Sequence, residues 1–143
     1  ALPISADERD AQQAAYAEVS DRLIEELEVA DIVVMGLPMY NFGIPSTLKT
    51  WIDHVARAGK TFTYGEGGPI GLLADRPVHI FATRGGFYHG TPRDTQSAYM
   101  THFLNFIGIR NIEFIYAEGL NMGGDKRQAA LANARESIDR LAA

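Results

Sequence analysis

Two short segments of the sequence combine polar and aromatic side chains with glycine in a way that suits ligand binding. In the first segment, Met39, Tyr40, Asn41 and Phe42 follow an apolar run and precede an amphipathic stretch. The segment offers main-chain N–H groups, one amide side chain and two aromatic rings, but it contains no nucleophile paired with a base. This set of groups is typical of a site that binds a flat ring system with a polar edge.

The second segment begins with Arg84, Gly85 and Gly86 and directly follows another apolar run. Two glycines after a strand allow a ligand to approach the main chain closely, because neither residue carries a Cβ atom. A pair of glycines alone is a weak signal, since it usually marks only a turn. Two such segments at the same edge of a sheet are a more specific indication of a binding site.

The elements that must position these segments alternate between helix and strand. Residues 32–37, 78–83 and 112–117 are predicted to form strands, and the β-branched apolar run of the first predicts that this strand is buried on both faces. Apolar residues at helical spacing predict helices over about 7–27, 46–58, 94–107 and 125–141. This alternation predicts an α/β fold with a doubly wound parallel sheet in three α/β/α layers, the three strands being adjacent in chain order. The carboxyl ends of the strands then share one edge, where ligands bind in such folds.

Local signals refine the ends of these elements. Ser5 and Glu8 have the spacing of a capping box, which predicts that the first helix begins there. Gly59 predicts a left-handed end for the second helix. Threonine and aromatic residues alternate at positions 61–64, and a glycine-rich stretch follows up to residue 69. This pattern predicts a short extended segment with a turn, on the same side of the sheet as the ligand-binding loop. Its aromatic side chains either cover a site or only pack locally.

Composition narrows the classes of function. A chain of 143 residues suggests one domain, and a net charge of -5 without a Lys/Arg cluster argues against nucleic acid as a partner. The absence of Cys excludes disulfides, thiolate metal sites and Cys nucleophiles, and it fits a cytoplasmic location. The four His residues lack metal-ligand spacing, and no apolar run approaches a membrane span of roughly 18 residues. No hydrolase or kinase motif is present, so any chemistry requires a cofactor.

The sequence resembles a known family along essentially its whole length. Residues 38–42, 48–49 and 55–59 resemble the FMN-dependent NADH azoreductases, which belong to the flavodoxin-like NAD(P)H:quinone oxidoreductases. Residues 83–86 look like the second flavin loop of that family, in which Ser often replaces Thr83. Further matches occur at residues 68–69, 103–104, 106–109 and 117–119. The combination of the two loops at this separation is quite specific.

The resemblance implies a flavodoxin-like fold and a tightly but non-covalently bound FMN, which would carry the chemistry without a catalytic side chain. It implies FMN contacts from Met39, Tyr40, Asn41, Phe42, Thr83, Arg84, Gly85 and Gly86. It implies that NADH or NADPH delivers two electrons, which pass to flat quinones or azo compounds by a ping-pong mechanism. It also implies a homodimer whose substrate pocket is lined by Phe42, Tyr64, Tyr88 and Phe106, with Tyr64 reaching in from the partner subunit.

One departure from the family concerns the amino terminus. Family members begin with a strand, a Ser-rich phosphate-binding loop, a helix and a second strand, and none of these is present here. We therefore expect residues 1–143 to be a single domain that is incomplete at its amino terminus and covers roughly the last three strands. Two other interpretations remain: a flavodoxin-like FMN-binding electron carrier without small-molecule reductase activity, and a truncated chain without flavin.

Overall fold

The computed structural model describes residues 5–141, which form three parallel strands, one β-hairpin, four α-helices and a short 3-10 turn. The strands of the parallel sheet are β1, β4 and β5, at Val33–Pro38, Val78–Thr83 and Ile112–Ala117. The hairpin consists of β2 and β3, at Phe62–Gly65 and Gly68–Gly71. The helices α1 to α4 span Ala11–Val29, Ser46–Val55, Thr95–Ile107 and Gly124–Leu141.

The sheet has the order β1-β4-β5, and both pairings are parallel. Its register aligns the last residues of the three strands, Pro38, Thr83 and Ala117, at a single edge. The predicted strand order and direction are therefore confirmed. The register matters for function, because it brings the segments that follow the three strands to one place.

The hydrophobic core lies between one face of the sheet and helices α1, α2 and α3. Alternate residues of β1 and β4, including Leu37, Val78 and Ile80, point into it and are fully buried. Helix α4 packs against β5 on the opposite face. Helices thus lie on both faces of the sheet, as the alternation predicted.

The outer face of β1 differs from the expectation that this strand is buried on both faces. Val34 is 65% exposed and Gly36 is also exposed, although Met35 and Leu37 on the inner face are buried. Within residues 5–141, β1 pairs only with β4 and no helix covers this part of its outer face.

Helix α1 begins later than the capping-box pattern at Ser5 predicted. The Ser5 hydroxyl does bond the Glu8 carboxylate, but this contact belongs to the 3-10 turn at Ala6–Glu8. The following Arg9 is extended, with φ -79° and ψ 135°, and separates the turn from the helix. The true capping box is formed by Asp10 and Gln13, each of whose side chains accepts a hydrogen bond from the other's main-chain N–H.

Helix α2 ends at Val55, before the predicted end at residue 58. The buried hydroxyl of Thr61 donates to Val55 O at 2.6 Å and accepts from Arg57 N at 3.0 Å. These bonds take the place of helical ones and turn the chain out of the helix. Gly59 has the expected positive φ of 77°, but it lies in the turn beyond the helix.

Helix α3 has the ends that the sequence predicted. Asp94 is its N-cap and accepts from Ser97 N, and Gly108 ends it with a φ of 110°. The antiparallel hairpin of β2 and β3 corresponds to the predicted extended segment with a turn. In the described part of the chain, no helix is both long enough and apolar enough to span a membrane.

Candidate ligand-binding site at the carboxyl edge of the sheet

The loops after β1, β4 and β5 meet in a cleft of about 280 Å³ at the carboxyl edge of the sheet. The loops after β1 and β4 are joined at their base, where Met39 N donates to Thr83 O at 3.0 Å. The cleft is lined by Met39, Asn41, Phe42, Gly85, Tyr88 and Asn121. The predicted binding segments are therefore neighbours in space.

The loop after β1 contains a tight turn with an unusual conformation. Tyr40 and Gly43 close it through a reciprocal pair of main-chain hydrogen bonds, at 3.1 and 2.9 Å. The two residues between them, Asn41 and Phe42, have positive φ angles of 49° and 66°. This conformation is tolerated by Asn but costs a residue such as Phe about 1–2 kcal/mol. Strain of this kind is often found at ligand sites, so the turn is a functional candidate.

The first turn of α3 holds this loop from the side of the core. The amide nitrogen of the buried Gln96 donates to both Pro38 O and Gly43 O, each at 2.9 Å. The hydroxyl of Thr95 donates to Phe42 O at 2.7 Å. Both ends of the loop and the second strained residue are therefore fixed by side chains of one helical turn.

The loop after β4 is tied to the loop after β5 through main-chain hydrogen bonds. Asn121 N donates to Gly85 O at 3.0 Å, and Gly119 N donates to Gly86 O at 2.9 Å. A Cβ atom on Gly85 would stand 2.7 Å from Asn121 Nδ2, and one on Gly86 would stand 3.1 Å from the Tyr88 ring. These contacts explain why glycine follows the strand here: the space that a side chain would need is occupied by residues of the cleft.

The two loops contain main-chain donors without a protein partner. The N–H groups of Asn41, Phe42, Gly85 and Gly86 donate to no protein acceptor within residues 5–141. Three of these residues line the cleft. Unpaired N–H groups at a ligand cleft are suited to bind electronegative atoms, in the manner of a preorganised anion site.

The side chain of Arg84 lies beneath the cleft rather than in it. Its guanidinium is fully buried and pairs with Asp94 at 2.8 Å and with Glu118 at 3.1 Å. It also donates to Ser97 Oγ at 2.8 Å and lies 4.9 Å from the centre of the Tyr116 ring. Arg84 thereby links the loops after β4 and β5 to the first turn of α3.

The main chain of Arg84 is also engaged within the protein. Its N–H donates to Ala117 O at 2.9 Å, and its carbonyl accepts from Leu120 N at 3.1 Å. The side chain of Arg84 is therefore engaged inside the protein, and its contact with a cofactor stays a prediction. The side chain is held in the interior by two carboxylates that lie 10 and 34 residues away in the sequence.

The buried ion pair shifts the pKa values of its members. Burial is the largest single influence and would lower the pKa of Arg84 and raise the pKa of Asp94, but the hydrogen bonds and charges of their partners together outweigh it. The pKa of Arg84 is therefore raised and the pKa of Asp94 is lowered. Burial also raises the pKa of Tyr116, whose hydroxyl lies 2.9 Å from Ser97 Oγ. Arg84 and Asp94 are consequently ionised at neutral pH.

Glu118 connects this ion pair to the cleft. Its Oε1 atom accepts from Tyr88 N and from His89 N, both at 2.9 Å, as well as from Arg84. Its side chain is only 13% exposed. Glu118 thereby fixes the main chain of Tyr88, which lines the cleft.

The predicted substrate-binding aromatic residues fall into two separate groups. Phe42 and Tyr88 pack edge to face in the cleft, with ring centroids 5.8 Å apart. Tyr64 and Phe106 instead both pack against Phe62, with ring centroids 5.5 and 4.4 Å from its centroid. The structure therefore brings together two of the four predicted residues and places the other two around β2.

Two further predicted residues border the cleft without lining it. Tyr40 is 61% exposed and closes the strained turn through its main chain. Thr83 accepts from Met39 N, and it lines a separate apolar cavity under α4. Tyr40 and Thr83 therefore contribute to the shape of the cleft through their main chains and not through their side chains.

Sequence reasoning missed the residues that support the cleft. Gln96, Glu118 and Asn121 had no assigned role, although the end of the third strand, which Glu118 and Asn121 follow, was expected at this edge. Gln96 gave no signal, since a single Gln in the first turn of a helix is ordinary. Across residues 5–141, no cluster of three or more His, Asp or Glu could hold a metal ion.

The comparisons with known proteins agree with this architecture. A family model described as a flavodoxin-like fold matches residues 2–142. An FMN-dependent NADH:quinone oxidoreductase of Cellvibrio japonicus (strain Ueda107) is 56% identical over 139 residues, covering 97% of this chain and 69% of the relative.

Solved structures of azoreductases are also similar. The crystal structure of azoreductase AzrA has a TM-score of 0.86 and 33% identity, covering 96% of this chain and 69% of that one. An FMN-dependent NADH-azoreductase from Bacillus anthracis str. Ames Ancestor, in complex with FMN, has a TM-score of 0.80 and 28% identity over 95% of this chain and 68% of that one. This chain therefore has a flavodoxin-like fold and belongs to the family of FMN-dependent NADH:quinone oxidoreductases.

Proposed function

We propose that this protein is an FMN-dependent oxidoreductase that transfers two electrons from NADH or NADPH to quinones and azo compounds. The observation that carries the proposal is the group of four unpaired main-chain N–H donors in two adjacent loops, three of which belong to residues that line one cleft. The names of the relatives support the same activity, since they are FMN-dependent NADH:quinone oxidoreductases and azoreductases.

The residues of the cleft fit the ring system of FMN. The isoalloxazine has a polar edge of oxygen and nitrogen atoms, which matches the unpaired N–H groups of Asn41, Phe42, Gly85 and Gly86. Gly85 lets the Asn121 amide pack directly against the main chain of this loop, so that both residues line the cleft beside the proposed ring site. Met39, which lines the cleft, and Tyr40, Thr83 and Arg84, which lie beside it, complete the proposed contacts.

When bound, FMN would supply the two-electron redox chemistry that amino-acid side chains do not. The N–H groups would stabilise negative charge at the polar edge of the reduced ring, and they need no reorganisation because the loops already hold them. Phe42 and Tyr88 would form an apolar wall against which a nicotinamide, a quinone or an azo compound stacks. Because both substrates would use this one wall in turn, we expect a ping-pong mechanism.

The proposal includes a homodimer in the cytoplasm that has neither nucleic acid nor a membrane as a partner. Phe42 is 52% exposed and Tyr64 is 71% exposed, so each presents an apolar ring on the surface of a single chain. Tyr64 and Phe106 would line the substrate pocket if the hairpin of one subunit approached the cleft of the other. Sedimentation at micromolar concentration tests the assembly, and a monomeric mass would contradict it.

The activity is tested by reconstituting the protein with FMN and measuring NADH oxidation with 1,4-benzoquinone and with methyl orange. We expect turnover with both acceptors and parallel lines in double-reciprocal plots at several acceptor concentrations. FMN binding without NADH oxidation would instead support the electron carrier. Failure to bind FMN would contradict both functions.

A further inference from the structure

The first turn of α3 is in contact with both loops of the cleft, and one of its side chains joins them. Gln96 donates from Nε2 to Pro38 O and Gly43 O, and its Oε1 accepts from Arg84 Nη2 at 3.4 Å. Gln96 is 1% exposed, so water does not replace these bonds. One buried amide thus touches the loop after β1 at both ends and the buried cation of the loop after β4.

The acceptors of Gln96 lie on either side of the strained turn. Pro38 precedes it, Gly43 closes it, and the residues with positive φ, Asn41 and Phe42, lie between them. A turn that contains two left-handed non-glycine residues needs outside contacts to keep its shape. Gln96 supplies two of these contacts from the first turn of α3, a helix whose N-cap, Asp94, is itself paired with Arg84.

We propose that Gln96 is a positioning residue, which holds the turn at Asn41 and Phe42 in the conformation that presents their N–H groups to FMN. The inference rests on the proposed function, because it assigns the purpose of the turn to FMN. Gln96 does not line the cleft, so it acts on the cofactor only through the loop. Its role differs from that of a core residue, because the conformation of the turn depends on the polar atoms of Gln96 and not on its volume.

The test compares Gln96→Met with the parent protein. Met has a similar length and volume but cannot donate to Pro38 O and Gly43 O. In the protein without FMN, we expect the main-chain chemical shifts of Asn41 and Phe42 to lose the values typical of positive φ. We expect the dissociation constant of FMN to rise about tenfold, as the loss of one or two buried hydrogen bonds predicts. The midpoint potential of the bound flavin should become more negative.

The matched control is Leu104→Ala, which creates a cavity in the core from the same helix. Leu104 is fully buried and forms part of the core cluster. This variant should lower the melting temperature but leave the turn and the FMN affinity unchanged. If Leu104→Ala and Gln96→Met weaken FMN binding equally, Gln96 is only structural.

A second variant, Gln96→Asn, tests the proposal if Gln96→Met does not fold. Gln96→Asn keeps the amide but shortens the side chain by one methylene, so that it cannot reach both carbonyls. We expect a smaller rise in the FMN dissociation constant, about threefold. Replacing Asn41 with Gly in the same chain should restore part of the affinity, because Gly adopts positive φ without strain. An unchanged turn and unchanged FMN affinity in both Gln96 variants would overturn the proposal.

Failure of the proposed function would be distinguishable from failure of this inference. If the parent protein does not bind FMN, the proposed function is wrong. If, in addition, the chemical shifts of Asn41 and Phe42 do not change in the Gln96 variants without flavin, Gln96 does not hold the turn either. If those shifts do change, Gln96 positions the turn, but the turn does not serve to bind FMN. That outcome overturns the part of the proposal that concerns FMN.

Discussion

The rings of Phe42 and Tyr88 meet edge to face across the cleft, with their planes at 87° and their centroids 5.8 Å apart. They belong to different loops, which follow different strands of the sheet. Their contact therefore depends on the relative position of these loops. It also gives the cleft an apolar wall next to its polar main-chain edge.

This contact predicts coupling between the two residues. We expect Phe42→Leu and Tyr88→Leu each to reduce kcat/KM for 1,4-benzoquinone, and the double variant to lose less than the sum. The coupling free energy should be about 0.5–1.5 kcal/mol, the usual value for an aromatic pair. Steady-state kinetics of the four proteins measures it. Tyr16→Leu, at an exposed position of α1, serves as the control and should show no coupling to Tyr88→Leu.

Substitution of Gly85 should weaken FMN binding. In Gly85→Val, the new side chain would meet the Asn121 amide and crowd the edge of the ring, so the FMN dissociation constant should rise at least about tenfold. Titration of the apoprotein with FMN measures the effect. Gly67→Val, in the hairpin turn with open space around its Cα, should bind FMN like the parent. Equal affinity of Gly85→Val and the parent would show that this loop is not at the cofactor.

Loss of the buried cation should strongly destabilise the fold. Arg84→Met leaves the carboxylates of Asp94 and Glu118 in the interior without their shared partner, which typically costs about 3–5 kcal/mol. Urea denaturation measures the free energy of unfolding. Arg140→Met is the matched control, because Arg140 also pairs with a carboxylate but lies 66% exposed on α4. It should change the stability little. A similarly small effect of Arg84→Met would contradict the assigned role of the ion pair.

The pKa of Asp94 predicts how stability depends on pH. Burial opposes ionisation of Asp94, but hydrogen bonds from Arg84 and Ser97 outweigh it and keep the pKa below the ordinary value of 3.8. A carboxyl whose pKa is lowered by folding stabilises the native state above its ordinary pKa. This contribution is lost as the pH falls through the lower, folded value.

We therefore expect the free energy of unfolding of the parent to fall more steeply than that of Asp94→Asn, between about pH 5 and pH 2. Asn retains the N-cap of α3, so the comparison isolates the charge. Urea denaturation at a series of pH values measures the slope. Asp139→Asn, at an exposed position of α4, should keep the slope of the parent. Identical slopes for Asp94→Asn and the parent would contradict the prediction.

The sheet could be predicted from the sequence because its signals are local and strong. The runs at residues 78–83 and 112–117 match β4 and β5 at both ends, and β1 is displaced by one residue. Helix ends were harder to predict where two local signals competed. Ser5 and Asp10 are each followed three residues later by Glu or Gln, which is the spacing of a capping box. Only the extended conformation of Arg9 shows that α1 begins after Asp10 and not after Ser5.

The supporting residues of the cleft could not be predicted, because their partners are distant in sequence. Gln96 bonds residues 53 and 58 positions away, and Arg84 pairs with a carboxylate 34 positions away. Arg84 was assigned to the cofactor because residues 83–86 resemble a flavin loop, and this resemblance does not reveal the ion pairs of its side chain. Its burial depends on where α3 and β5 lie, which the spacing of residues does not specify.

The attachment of both loops to one helical turn has a consequence for local unfolding. Because Gln96, Thr95 and Asp94 bind the loops after β1 and β4 at once, neither loop can open without breaking bonds of the other or of α3. The cleft should thus behave as one cooperative unit in native-state hydrogen exchange. The amides of Gly43, Tyr88 and Ser97, one from each segment, should then exchange with a common opening free energy.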